Sequence, residues 1–181
     1  YKVAMDFYLT CLVVKQEPPS FSFLQQTLVP VLNNLAQCTL QLGMHKKTME
    51  FCKIAFEEIG KYDNDNGDDV IDPIARCKLY FKQAKALRLT GSYLEARNDL
   101  HQSLTCLGGD GSGGGVHEDE KEEDAATTTP YRQAIQKEFR YVEAAEKEAR
   151  KNRQRQKRAM QNALSRPPKT TNTKSQTTPQ N

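Results

Sequence analysis

Residues 34–55 read NLAQCTLQLGMHKKTMEFCKIA, and residues 82–103, KQAKALRLTGSYLEARNDLHQS, repeat their pattern. Each stretch holds a glycine, Gly43 or Gly91, directly after a run of apolar residues at helical spacing. A glycine in this place is typical of a helix C-terminus. Beyond the glycines, small or medium-sized residues recur at offsets of 0, 3, 7 and 10, counted from His45 and from Tyr93. Each stretch is therefore predicted to form two helices that join in a tight turn and pack through small side chains.

Other parts of the chain give the same helical signal. The four offsets occur a third time at the beginning of the sequence, at Tyr1, Ala4, Tyr8 and Cys11. Asp72-Pro73 is a good helix start, with an aspartate as N-cap and a proline in the first turn. Strand-type alternation of apolar and polar residues is not sustained anywhere in the sequence. We therefore predict an all-α fold.

Composition divides the chain into four parts. Of the 181 residues, 37% are hydrophobic and none is Trp, and nearly all the large apolar residues fall in 1–107, the predicted repeat domain. Residues 108–129 are glycine-rich and then acidic, which is typical of a flexible linker. Residues 130–165 are rich in helix formers and predict one long charged helix. Residues 166–181 form a polar tail that we expect to be disordered.

Several classes of protein are excluded by what the sequence lacks. No run of 18 apolar residues exists, so no membrane-spanning helix is expected. The five cysteines are odd in number and form no Cys-x-x-Cys pair, which favours a reducing compartment. The acidic stretch at 62–72, YDNDNGDDVID, fails the calcium-loop pattern: with Gly67 at the sixth position, Tyr62 stands where Asp is needed and Pro73 where Glu is needed. We find no phosphate-binding glycine loop, metal-ligand spacing or nucleophile–base pair, and therefore expect no cofactor, no metal and no catalytic residue in this segment.

The repeated pattern resembles the tetratricopeptide repeat, whose period is about 34 residues. The distances from Ala4 to Thr48 and from Thr48 to Ala96 are 44 and 48 residues, so the extra residues fall between the repeats. The stretches at 34–38, 78–82 and 93–97 (NLAQC, KLYFK and YLEAR) are similar to the C-terminal repeat domain of FKBP-type immunophilins, a family of co-chaperones.

This resemblance implies an architecture. Residues 1–107 would form helix B of a first repeat followed by repeats 2 and 3, stacked in a right-handed superhelix, with 130–165 as the family's long final helix. Tyr1 falls just inside helix B of the first repeat. We therefore expect the chain to lack that repeat's helix A and any isomerase domain upstream, although the parent protein would be a peptidyl-prolyl cis-trans isomerase.

The resemblance also implies a partner and a site. In the family, a carboxylate clamp holds the acidic C-terminal peptide of heat-shock chaperones of the 90- or 70-kDa class. Asn34, Lys78 and Lys82 match clamp positions here, and Lys85 and Arg88, further along the same helix, are auxiliary candidates. The family has arginine where Lys82 stands, which would lose bidentate recognition. The other clamp Lys and Asn would lie before Tyr1.

Other interpretations stay open. The three lysines could form an ordinary solvated face, and Asn34 could instead satisfy backbone groups between helices. The chain could be a non-enzymatic scaffold, in the cytoplasm or also in the nucleus. The cations of 150–158 could bind calmodulin or nucleic acid. Only Met160 and Leu164 follow these cations as bulky apolar anchors for calmodulin, and no aromatic residue follows Tyr141 to stack on bases. Both partners stay open as alternatives, with nucleic acid the less favoured of the two.

Overall fold

The computed structural model describes residues 20–62, 71–108 and 122–165, with side chains of the last range from residue 129 onward. Its helical elements are α1 (Phe21–Phe23), a π-helical turn (Leu24–Leu28), α2 (Val29–Gln41), α3 (His45–Gly60), α4 (Pro73–Thr90), α5 (Tyr93–Thr105) and α6 (Glu122–Leu164). No strand occurs within these ranges, and the all-α prediction is confirmed to that extent.

Some predictions cannot be compared with this structure. The first copy of the repeat, the middle of the acidic stretch, most of the linker and the C-terminal tail lie outside the described residues, at 1–19, 63–70, 109–121 and 166–181. At the other end of the linker the structure differs from the prediction. Helix α6 begins at Glu122 rather than at residue 130. Its first residues, EEDAA, explain the earlier start, since acidic residues are favoured in the first turn of a helix.

The two predicted turns have the same geometry. Gly43 and Gly91 adopt positive φ angles of 71° and 90°, the left-handed conformation in which glycine meets no Cβ penalty. The N–H of Met44 donates to the carbonyl of Thr39 at 2.8 Å, and that of Ser92 donates to Leu87 at 2.9 Å. These bonds close α2 onto α3 and α4 onto α5, as two helical hairpins.

The start of α4 follows the sequence directly. The side chain of Asp72 accepts a hydrogen bond from the N–H of Ile74 at 2.8 Å. Pro73 occupies the first helical position, where its missing N–H costs nothing. This cap fixes where α4 begins, and it thereby sets the register of every side chain that the helix presents.

Small side chains lie where the repeat pattern predicts the helices to cross. The residues that are buried without measurable exposure include Ala36, Thr39, Thr48, Cys52 and Ala55 in the first hairpin and Ala84, Ala96, Leu100 and Ser103 in the second. The hydroxyl of Thr48 donates to Thr39 Oγ1 at 3.0 Å, and that of Ser103 donates to the carbonyl of Cys77 at 3.0 Å. Close helix contact therefore leaves these hydroxyls satisfied.

The buried apolar residues form two clusters. One lies between α2 and α3 and includes Leu24, Leu32 and Phe51, together with Leu79 from α4. The second joins the α4–α5 hairpin to the first half of α6, through Ile135 and Val142, neither of which is measurably exposed. The site described below lies on α4, the helix that contributes to both clusters.

The chain divides into two compact units, residues 1–145 and 146–181. In the second unit, residues 150–165 are all exposed. A search of the described residues finds no helix that combines the length and the apolar character needed to cross a membrane.

Candidate functional site

Four basic side chains follow one another along α4, and we call them the cation row: Lys78, Lys82, Lys85 and Arg88. The three lysines are spaced four and three residues apart, so they share one face of the helix. All four residues are partly buried. Partial burial of a long basic residue covers its methylene stem first, and burial of the charged group itself is established at Lys82.

The most constrained member of the row is Lys82. Its ammonium donates a hydrogen bond to Oδ1 of Asn33 on α2. Asn33 is only 7% exposed, and its Nδ2 donates to the carbonyl of Ala75 at 3.5 Å. Asn33 therefore ties α2 to α4 and holds Lys82 in place.

The asparagine that contacts Lys82 is Asn33 and not Asn34, the predicted clamp residue, which is exposed. The predicted peptide-binding role of Asn34 stays a prediction. Successive residues on a helix point about 100° apart, and the face of α2 that meets α4 carries Asn33. Asn33 is thus the asparagine of α2 that contacts the cation row.

The charge state of Lys82 reflects its surroundings. Burial disfavours the ammonium, and repulsion from Lys78 and Lys85 acts in the same direction, so that the pKa falls from 10.5 to about 8. Among the described residues, no carboxylate forms an ion pair with Lys82, and its hydrogen-bond partner is the neutral amide of Asn33. The row therefore has a local excess of positive charge that an incoming anion would neutralise.

Aromatic rings lie against the two flanking lysines. The ammonium of Lys78 is 5.5 Å from the ring centroid of Tyr131 on α6. That of Lys85 is 4.3 Å from the ring centroid of Phe81, one turn earlier on α4. Contacts of this kind stabilise a cation by about 0.5–1 kcal/mol at exposed sites. They also keep both ammonium groups close to the protein surface.

Arg88, the auxiliary candidate, is engaged inside the protein. Its Nε lies 2.5 Å from Oε1 of Glu138 on α6, and its guanidinium carbon is 5.7 Å from the ring centroid of Tyr141. Arg88 therefore fastens α6 to α4. The peptide-binding candidates that the structure leaves in the row are the three lysines.

The sequence carries a signal for this contact in the pattern of α6. Glu138 lies three residues after Ile135 and four before Val142, on the stripe that buries both. A carboxylate on the apolar face of a helix needs a cationic partner, and Arg88 is that partner. Asn33, Tyr131, Glu138 and Tyr141 are the site residues that sequence reasoning missed.

The buried cysteines near the row are chemically quiet. The thiol of Cys52 donates to the carbonyl of Leu79 at 3.6 Å, and burial raises its pKa to about 12. Burial also raises the pKa of the Cys77 thiol, so both stay protonated and lack the thiolate that nucleophilic chemistry requires. Within residues 20–62, 71–108 and 122–165, no group of three or more His, Cys, Asp or Glu side chains is placed to hold a metal ion.

Comparison with protein-family models, with curated proteins and with solved structures finds no match for this chain. The candidate site is thus defined by its own geometry. It consists of three ammonium groups on one helix face, one of them buried against an asparagine amide, beside a tyrosine ring from the final helix.

Proposed function

We propose that the chain is a protein-interaction module of tetratricopeptide type, similar to that of FKBP-like co-chaperones, whose cation row binds the acidic C-terminal peptide of a heat-shock chaperone. The observation that carries this proposal is the environment of Lys82. A partly buried ammonium that lies on one helix face with two further lysines, and whose hydrogen bond within the described ranges goes to the neutral amide of Asn33, favours an anionic ligand.

The chemistry of such a peptide fits the row. Its terminal carboxylate and acidic side chains accept charge-assisted hydrogen bonds from ammonium groups, each of which contributes about 1.5–3 kcal/mol. Lysines act as point charges rather than as planar forks, so the row would select for negative charge more than for a fixed carboxylate orientation.

We propose different roles for the polar residues. Lys78, Lys82 and Lys85 would meet the peptide. The side-chain oxygen of Asn33 accepts a hydrogen bond from Lys82, and its side-chain nitrogen donates to the carbonyl of Ala75. Asn33 would therefore position Lys82 rather than bind the ligand. Asn34, which is exposed, stays a candidate amide donor to the peptide.

Calorimetry with the peptide Met-Glu-Glu-Val-Asp tests the proposal. We expect saturable binding to the full chain that weakens as salt rises. Lys82→Gln, which keeps a polar group facing Asn33, should weaken binding about tenfold or more, equivalent to about 1.4 kcal/mol. The matched control is Lys46→Gln, at an exposed lysine on α3, which should leave the affinity unchanged.

A second ligand sharpens the test. The same peptide with an amidated C-terminus keeps its acidic side chains but loses the terminal carboxylate. We expect it to bind at least about tenfold more weakly, because one charge-assisted contact is lost. Two results would show that the row does not recognise a C-terminal acidic peptide. One is that the chain binds both peptides with equal affinity, and the other is that the Lys82→Gln and Lys46→Gln variants bind the first peptide with equal affinity.

Isomerase activity would belong to a longer parent protein, as in the FKBP-type family. Activity of such a parent towards a prolyl peptide would favour the enzyme over a non-enzymatic scaffold. Either parent would use this segment in the same way, and we propose the cytoplasm, with the nucleus as the alternative, as the place where it meets its partner.

A further inference from the structure

The C-terminal part of α6 carries a second concentration of positive charge, separate from the cation row. We call residues 150–158, RKNRQRQKR, the basic segment. It holds six cations in nine residues, and all nine residues are helical and exposed. The segment lies in the second of the two compact units.

Charge is strongly uneven along the chain. Residues 149–181 hold nine Lys+Arg and no Asp or Glu, which leaves 17 Lys+Arg against 23 Asp+Glu in residues 1–148. The net charge of +3 thus combines an acidic body with a strongly basic C-terminal region. Such asymmetry is typical of chains that bind a polyanion.

Ion pairs between basic and acidic side chains of α6 end at the beginning of the basic segment. Arg150 Nη2 lies 2.6 Å from Oε1 of Glu146, one turn earlier. From Arg153 onward, no acidic residue lies three or four positions away in either direction, where a helical ion pair would have to form. In the part of the chain that the structure describes, the cations from Arg153 onward form no ion pair, so no carboxylate there competes with an external anion.

The linear density of these charges indicates which kind of anion the basic segment would bind. Nine helical residues span about 13 Å, so the segment presents one positive charge per roughly 2 Å of axis. Duplex DNA carries one negative charge per about 1.7 Å of its axis. The two linear charge densities nearly match.

The distribution of the cations around the helix agrees with this. At 100° per residue, they cover an arc of about 200°, bounded by Arg153 and Arg155. A helix lying in the major groove of DNA, which is about 12 Å wide, has phosphates on both sides. An arc wider than half the helix circumference would reach both walls of the groove.

Other polyanionic partners fit the segment less well. Calmodulin binding and insertion of a helix into a lipid surface both require a stripe of bulky apolar residues, whereas Met160 and Leu164 are the only such residues in 146–165. Single-stranded nucleic acid favours interleaved aromatic rings, and none follows Tyr141. We therefore propose that the basic segment binds the phosphate backbone of double-stranded DNA as a helix, without reading its sequence.

Fluorescence anisotropy of a labelled 20-base-pair duplex, titrated with the full chain, tests the proposal. At about 50 mM salt we expect a dissociation constant in the micromolar range, as for sequence-independent binding. The triple change Arg153→Gln, Arg155→Gln and Arg158→Gln keeps good helix formers. It should weaken binding at least about tenfold and reduce the slope of log K against log salt by about 2.7.

Two further variants test whether binding depends on the position of the cations rather than on net charge alone, and whether it requires a helix. Lys46→Gln, Lys47→Gln and Arg140→Gln remove the same charge from exposed positions in the first unit and should leave affinity within about twofold of the original. Gln156→Pro keeps all six cations but breaks the helix, which circular dichroism would verify, and it should weaken binding several-fold.

Three results would overturn the proposal. They are a lack of binding at about 50 mM salt, equal losses in the two triple variants, and tighter binding to a single strand than to the duplex. Unchanged binding by Gln156→Pro would overturn the helical mode. None of these results depends on whether the cation row binds an acidic peptide, since neither triple variant changes a residue of that row.

Discussion

Arg88 and Glu138 form an ion pair across the α4–α6 contact, with 2.5 Å between Nε and Oε1, and the carboxylate side chain is only 4% exposed. Because the ammonium of Lys78 also lies over the ring of Tyr131 on α6, the first and last members of the cation row both contact α6. The position of α6 therefore bears on the proposed peptide site through Arg88, a residue that is not itself expected to touch the peptide.

Removing one partner of this pair should destabilise the fold strongly. Arg88→Ala leaves the buried carboxylate of Glu138 without compensation, and we expect a loss of about 3 kcal/mol in the free energy of unfolding, measured by urea denaturation. The double variant Arg88→Leu with Glu138→Leu should lose clearly less. A double variant as unstable as Arg88→Ala would mean that lost packing, rather than an unpaired charge, causes the effect.

The turn between α4 and α5 gives a test of backbone conformation. Gly91 has a φ of 90°, so Gly91→Ala should cost about 1–2 kcal/mol of stability, although a Cβ at this place would meet no atom within 4 Å. Gly60→Ala is the matched control, because Gly60 is helical and its Cβ would also meet nothing within 4 Å. It should be neutral or stabilising by thermal denaturation.

Asp99 on α5 should make stability depend on pH. Burial, and then repulsion from Glu95, raise its pKa from 3.8 to about 6. Within the described ranges its buried Oδ2 has no hydrogen-bond partner. The folded state therefore binds this proton more tightly than the unfolded state does, so the contribution of Asp99 to stability falls as pH rises from 3.8 to about 6.

Asp99→Asn should remove this penalty. At pH 7.5 the variant should be more stable by no more than about 1 kcal/mol, since the side chain is partly exposed and screened. The difference should vanish below about pH 4, as measured by urea denaturation across this range. A gain of the same size at pH 3.5 and at pH 7.5 would rule out titration of Asp99 as its source.

Peptide binding to the cation row should depend on the protonation of Lys82. With a pKa of about 8 in the free protein, Lys82 is mostly charged at pH 7 and mostly neutral at pH 9. Affinity for Met-Glu-Glu-Val-Asp should therefore fall up to about tenfold over this interval, as measured by calorimetry. In Lys82→Gln the dependence should flatten, and an equally steep decline there would assign the titration to another group.

Local features of the fold were predictable from the sequence. The turns at Gly43 and Gly91 and the cap at Asp72 depend on a few adjacent residues, and the positive φ angles and the Asp72 hydrogen bond confirm them. The small residues at the helix crossings, such as Ala36 and Ala96, were also correctly expected to be buried. Each of these features follows from helix periodicity and backbone sterics.

The site was harder to predict because its contacts are long-range. Arg88 and Glu138 are 50 residues apart, and nothing near either residue specifies the pairing. The contact of Asn33 with Lys82 depends on which face of α2 meets α4. A rotation of about 100° separates Asn33 from its neighbour Asn34, and a repeat alignment does not resolve so small a difference.

The π-helical turn at Leu24–Leu28 has a consequence for any comparison of this chain with other helical hairpins. A π turn takes up one more residue than an α turn, so residues before it are rotated relative to those of α2. Phe21 is thereby set against Tyr62, with 6.0 Å between their ring centroids. An alignment that treats 21–41 as an uninterrupted α-helix would shift every residue before Leu24 by one position, and would misplace the Phe21–Tyr62 contact.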